Sequence, residues 1–144
     1  MTAAINYASS PLAPCAVLST GDTSRTAPTT VANLLVASGA AVPAINAASG
    51  AQIERVTIQP LAATTATCVR LWLHDGTNYH LRAEFGVAAT GTVTGSNPIP
   101  SQQFEAVDNP SQFPIIMPAG WSLRASINDT QAGGVNVFVE GGGF

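Results

Sequence analysis

Apolar and polar residues alternate one by one along several stretches of this chain, which is the period of a strand with one buried face. The clearest stretch is 68–74, where Val69, Leu71 and Leu73 share one face and Arg70, Trp72 and His74 take the other. Asp75-Gly76-Thr77-Asn78 follows, and because Gly, Asp and Asn tolerate positive φ it predicts a hairpin turn. The return strand over 79–85 sets Tyr79, Leu81, Ala83 and Phe85 on a single face. Near the C-terminus Trp121, Leu123, Ala125 and Ile127 alternate with polar residues. So do Val135, Val137 and Val139 with Asn136, Phe138 and Glu140, and residues 128–134 between the two runs read as a loop.

Elsewhere the pattern is shorter. Residues 52–60 carry Val56 and Ile58 in a strand setting, and 101–107 is a further candidate. Residues 113–117 are bracketed by Pro114 and Pro118, which suits an edge strand or an extended segment. Residues 13–20 and 29–37 both suit strands, although 31–36 also fits one helical turn. Ten prolines and thirteen glycines spread along the chain argue against long helices. About eight short strands with turn signals every ~8–12 residues predict an all-β, antiparallel β-sandwich. Uneven strand lengths and two long loops, 87–100 and 107–112, favour a jelly roll over an up-and-down barrel. We expect a single domain over 15–144, preceded by an extended arm, 1–14, rich in Ala, Ser and Pro.

Composition changes the picture chiefly through charge. Asp, Glu, Lys and Arg make up 9% of the chain, against about 25% in ordinary soluble domains. There is no lysine, the five arginines stand apart at 25, 55, 70, 82 and 124, and the net charge is −3. A surface of Ser, Thr, Asn, Gln, Ala and Gly desolvates at little cost and repels its own copies weakly. That suits a protein packed against neighbours in an oligomer or a shell. Phosphate binding needs several cations on one face, so no nucleic-acid partner is expected. Apolar runs are broken well short of the ~20 residues of a spanning helix, so no membrane partner is expected either. The N-terminal residues lack the basic and apolar regions of a secretory signal, which implies folding in a cytoplasm.

Candidate chemistry is sparse. Cys15 and Cys68 match neither a disulfide framework nor a zinc spacing, and each lies in an apolar run, as buried free thiols do. His74 and His80 flank the hairpin turn, where cross-strand neighbours can share a proton or a metal. No spacing supplies a third ligand, so the pair reads as solvent-facing and no metal or cofactor is expected. Nucleophile elbows, phosphate loops and zinc-protease helices are all missing, and no catalytic residue is expected. The terminal Gly141-Gly142-Gly143 reads as a flexible tail. Trp72 and Phe138 sit opposite the apolar faces of their strands, and outward aromatics are candidate interface anchors. With His74 and His80 they form the predicted interaction residues. A covered sheet face would bury Trp72 instead, and an outward Trp72 or Trp121 would also serve as a sugar-stacking platform.

Four strings together resemble small virion proteins of tailed bacteriophages. They are the 70–79 hairpin RLWLHDGTNY, the strand LRAE at 81–84, the segment MPAGWSLRAS at 117–126 and the C-terminal VFVEGGGF at 137–144. In such proteins an LPAGWSLRA-like turn precedes the penultimate strand and an EGGDY-like or EGGDF-like tail closes the chain. Here Gly143 replaces the acidic residue. The resemblance covers the second half of the chain and is nearest to jelly-roll cement, or decoration, proteins. It implies a non-enzymatic protein made in host cytoplasm and bound to the outside of the capsid. Its partners would be the major capsid protein and its own copies, as a dimer or trimer, with the arm reaching a neighbour. A tail, neck or baseplate part and a carbohydrate-binding adhesion domain are the alternatives.

Overall fold

Ten strands account for the regular structure in the computed structural model, which describes residues 10–35, 49–91 and 101–144. They are β1 (Ser10–Leu12), β2 (Cys15–Leu18), β3 (Ala32–Leu35), β4 (Ala51–Pro60), β5 (Thr67–His74), β6 (Tyr79–Val87), β7 (Gln102–Glu105), β8 (Ile115–Met117), β9 (Ser122–Ile127) and β10 (Val135–Gly143). There is no helix among the described residues, as the dispersed prolines and glycines predict. The helical alternative for 31–36 gives way to β3 over its described part. Of the expected arm, residues 1–9 lie outside the described residues, while Ser10–Leu12 is already a strand of the sandwich. Residues 36–37 and 92–100 of two other predicted segments also lie outside them.

Two antiparallel sheets pack face to face. In the six-stranded sheet β10 and β4 lie side by side at the centre; β1 and β2 share the outer side of β10, and β7 and β8 share that of β4. The four-stranded sheet runs β3-β9-β5-β6. Register explains which residues meet. Val139 pairs with Val56 and Val137 with Ile58, while Val69 pairs with Ile127, and Leu71 with Ala125. All eight of these residues are fully buried. Burying one Val, Leu or Ile side chain contributes about 1.5–3 kcal/mol, so this double layer is a large part of what holds the two sheets together.

Bulges decide which faces the remaining residues take. In the β5–β6 hairpin Leu71 pairs with Ala83, but the next pair is Trp72 with Leu81, so Arg82 has no opposite residue. One extra residue flips every side chain beyond it. Ala83 and Phe85 therefore face the core, whereas Leu81 and Tyr79 fall opposite Trp72 and His74 on the outer face. The single-face expectation for Tyr79, Leu81, Ala83 and Phe85 is corrected accordingly. A second bulge at Glu140/Gly141 leaves Glu54 unmatched on β4. It lets Ile53 and Val56, three apart, both point inward.

The glycine tail is also corrected. Gly141–Gly143 lies within β10, paired to β1 on one side and β4 on the other. A Cβ on Gly141 would run into the Gln52 backbone carbonyl, so the close approach of β4 requires glycine there.

Candidate functional site

The four predicted interaction residues fall on three different surfaces. Trp72 and His74 share the outer face of the four-stranded sheet, His80 lies on the opposite side, paired with Leu73 and exposed at the hairpin end, and Phe138 lies on the outer face of the other sheet. The bulge at Arg82 separates the two histidines, since His74 pairs with Tyr79 while His80 pairs with Leu73. They are not a shared-proton or shared-metal pair. No group of three or more metal-ligating side chains occurs among the described residues.

Trp72 is not an exposed anchor. It is fully buried, its indole N–H donates to Ser126 Oγ at 2.8 Å, and its ring stands edge-on to Tyr79. Its neighbour Arg70 is 4% exposed. Arg70 donates to Glu84 at 2.9 Å, to the Asp22 carbonyl at 3.1 Å and to Asn128 Oδ1 at 2.7 Å. The Asp22 contact reveals what covers this face. Residues 19–31, linking β2 in one sheet to β3 in the other, cross the outside of the sheet, with Asp22 N–H donating to the Ile127 carbonyl and Arg25 reaching Glu84 at 2.6 Å.

This strap is closed by one side chain. The Asp22 carboxylate accepts from the backbone N–H groups of Ser24 (2.9 Å), Thr29 (2.6 Å) and Thr30 (2.9 Å) and from the Thr29 hydroxyl. Three backbone donors favour the ionised form, led by Thr30, and hold the carboxyl down at about 2. Sequence reasoning left open whether the Trp72 face was open or covered. It is covered.

The hairpin end is held by another aspartate. Asp75 Oδ1 accepts from the N–H groups of Thr77 and Asn78, both at 2.8 Å, and Gly76 takes φ 102°. The other carboxylate oxygen meets His80 Nε2 at 2.9 Å. His80 and the Asp75 turn amides keep the carboxyl well below its ordinary range. His80 in turn stacks on Trp121, with ring centroids 5.3 Å apart. Bonded to two turn amides and to His80, the Asp75 carboxylate clamps the turn.

On the outer face beside it, Tyr79 is gripped by two groups. The His74 ring lies 4.4 Å from it, and the Arg124 guanidinium, 5.4 Å from its centroid, donates to its hydroxyl at 2.6 Å. Arg124 Nε donates to Ser122 Oγ at 3.2 Å. Burial first, then the Arg124 charge, pushes the His74 pKa down and favours the neutral ring.

The outer face of the six-stranded sheet is built differently. Phe138 is half-buried there between Cys15 and Thr57, with Val17 opposite Asn136 and 56% exposed. The charges on its strands gather at one end, where Arg55 bridges Glu105 at 3.2 Å and Glu140 at 3.1 Å, with Glu54 beside them. Both carboxylates raise the Arg55 pKa, Glu105 more strongly. These three residues, with Leu12, Ala13, Glu54 and Gly141, line a groove of about 430 Å³.

Both cysteines are free thiols, but Cys15 is exposed, not buried as its apolar run suggests, because β2 turns it outward beside Phe138. Cys68 is half-buried, and burial, then Glu84, pushes its thiol up. Nothing in the sequence signals the Arg55 triad, whose members lie 50 and 85 residues apart. Nor does it signal the pairing of Tyr79 with Arg124. No family model matches the chain, and no curated protein matches its sequence.

Proposed function

We propose that this chain is a non-enzymatic structural protein of a phage virion, a cement or decoration protein bound to the outside of the capsid lattice. One observation carries the reading: the outer face of the six-stranded sheet is open and uncharged over most of its area, with charge only at one end. Cys15, Val17, Thr57, Gln59, Gln103, Asn136 and Phe138 occupy it, and its charges are confined to one end, where Arg55 is paired with Glu105 and Glu140 beside Glu54. Such a face loses little hydration on docking, and Phe138 with Val17 supplies an apolar centre. A standard interface buries ~1,600 Å². Repeated across a shell, contacts of that size against the major capsid protein and sister copies, as a dimer or trimer, would oppose internal pressure.

Strand order supports a jelly roll. Counting β1 with β2 and β7 with β8 as single positions gives eight, numbered along the chain, in sheets ordered 1-8-3-6 and 2-7-4-5. Two interleaved Greek keys produce such an order. The sequence strings shared with small virion proteins point the same way. Assembly in the host cytoplasm follows from the same reading. The sugar-platform alternative loses its strongest residue, because Trp72 presents no surface on which a ring could stack.

A reconstruction of purified particles tests the reading. We expect density for this chain at every capsomer, on the exterior. Density confined to tail, neck or baseplate, or absence from the particle, would overturn it. Deleting residues 1–9 keeps β1 paired and should lower occupancy while the isolated domain melts unchanged. Equal occupancy with and without the segment would remove the arm from the proposal.

A further inference from the structure

The five arginines and eight acidic side chains all lie within the described residues, so their pairing can be followed completely. Arg25 and Arg70 meet Glu84, and Arg55 meets Glu105 and Glu140. Arg82 donates to the Pro114 carbonyl and has no carboxylate partner among the described residues. Arg124 is half-buried on the outer face and has no carboxylate partner among the described residues. A guanidinium withdrawn from water without a counter-charge is costly.

Its surroundings sharpen the point, because every polar group around it is a donor or has a donor to spare. The Tyr79 hydroxyl uses its oxygen to accept from Arg124, which leaves its proton free to donate. Ser122 likewise accepts from Arg124 Nε. His74 Nδ1 accepts from the Gly76 N–H, so a neutral ring carries its proton on Nε2. Of the guanidinium nitrogens, Nε and one Nη are engaged, and the second Nη has no protein acceptor among the described residues. Asn33, opposite Arg124 on β3, offers both an amide donor and an acceptor. The Asp75 carboxylate is engaged by its own turn and by His80, so no carboxylate is bonded to these donors among the described residues. A planar group with two acceptor oxygens and one negative charge completes the set, which is the description of a carboxylate.

We propose that Arg124, Tyr79 and His74 form a receptor for a carboxylate borne by an aspartate or glutamate side chain of a partner protein. The site is one charge on the outer face of a sheet, near its hairpin end, and encloses no small molecule, so its affinity for a free anion is weak. It gains value as one anchored contact inside a larger interface, where it fixes register. The inference goes beyond the capsid reading and does not depend on it, since an acidic contact could come from any protein partner.

The test is an NMR titration of the ¹⁵N-labelled full chain, observing backbone amides and the Arg124 Nε–H. The probe is glutamate blocked at both backbone ends, so that only its side-chain carboxylate is charged. Chloride and inorganic phosphate at matched ionic strength are the comparison arms. We expect saturable shifts at Arg124, Tyr79 and His74 with a Kd on the order of 10 mM, about tenfold weaker than the 1 mM that corresponds to −4.1 kcal/mol. Arg124→Gln should weaken this at least about tenfold, given the strength of hydrogen bonds to charged groups. Arg124→Lys keeps the charge but loses the fork, and should fall between; the same spectra report whether either variant folds. Shifts that do not saturate, that chloride reproduces, or that persist in a folded Arg124→Gln variant would overturn the proposal. Tighter binding of phosphate than of the blocked glutamate would overturn the assignment to carboxylate.

Discussion

The two outer faces of the sandwich each carry a charge triad, and the triads are built inversely. On the four-stranded sheet one carboxylate, Glu84, lies between two guanidinium groups, Arg70 and Arg25; on the six-stranded sheet one guanidinium, Arg55, lies between Glu105 and Glu140. The Arg70 side chain is 5% exposed and the Arg55 side chain 42%. The difference comes from the strap. Residues 19–31 cross the first face and lend Arg70 a backbone carbonyl, whereas no described segment crosses the second. A buried guanidinium must have all its donors met, so the part of the first face under the strap is specific and structural, while its hairpin end, with Arg124, lies beyond the strap contacts. The open face stays solvated and remains free to dock.

Four changes would break or sharpen that contrast. The largest effect is expected from Trp72→Ala, which should cost about 3–5 kcal/mol by opening a cavity under the covered face. Phe138→Ala, on the open face, should cost far less. Urea unfolding of both variants checks this, and similar losses would mean that the two faces are equally buried. Arg70→Ala comes next at about 2–4 kcal/mol, because Asn128 and part of Glu84 lose a buried donor.

The third concerns pH. Asp22 in the folded chain titrates at about 2, below its ordinary 3.8. A depressed folded pKa means that the unfolded state takes up the proton first as the pH falls. Stability from this group is therefore complete above about pH 4 and is lost as the pH drops towards 2. Asp22→Asn should be less stable at neutral pH and should show a shallower acid limb in urea midpoints read across that window. An unchanged limb would place the acid sensitivity elsewhere, for instance at Asp75 or Asp129, whose carboxyls are also depressed. The smallest effect belongs to Arg55→Ala, which should leave the urea midpoint nearly unchanged, as exposed ion pairs are screened by water and salt. A loss matching that of Arg70→Ala would erase the distinction between the triads.

Much of this architecture is legible in the chain, and the reason is local. A strand's two faces repeat every second residue, so Val69, Leu71 and Leu73, or Val135, Val137 and Val139, announce their shared face without reference to anything distant. Turn chemistry is local too: Asp75 and Gly76 hold the hairpin as their residue types suggest. The misreadings arise where a second segment intervenes. Tyr79 and Leu81 take the outer face because β5 skips Arg82, and Gly141–Gly143 forms strand because β1 and β4 close on both sides of it. Cys15 is exposed although its neighbours are apolar, because β2 lies at a sheet margin.

Alternation, turns, glycine and proline spacing and the scarcity of charge were enough for an all-β antiparallel sandwich with its hairpin in place. Each of these acts over a few residues or over bulk composition, and neither needs partners to be named. Which outer face is covered was settled only in three dimensions. So were the bulges that part His74 from His80, and the company that Arg55, Arg70 and Arg124 keep. Those outcomes depend on contacts between residues tens of positions apart, and the bulges further depend on how two strands meet. Alternation along one strand carries no information about its partner's register, so Trp72 could be placed on an outer face but not known to be buried there.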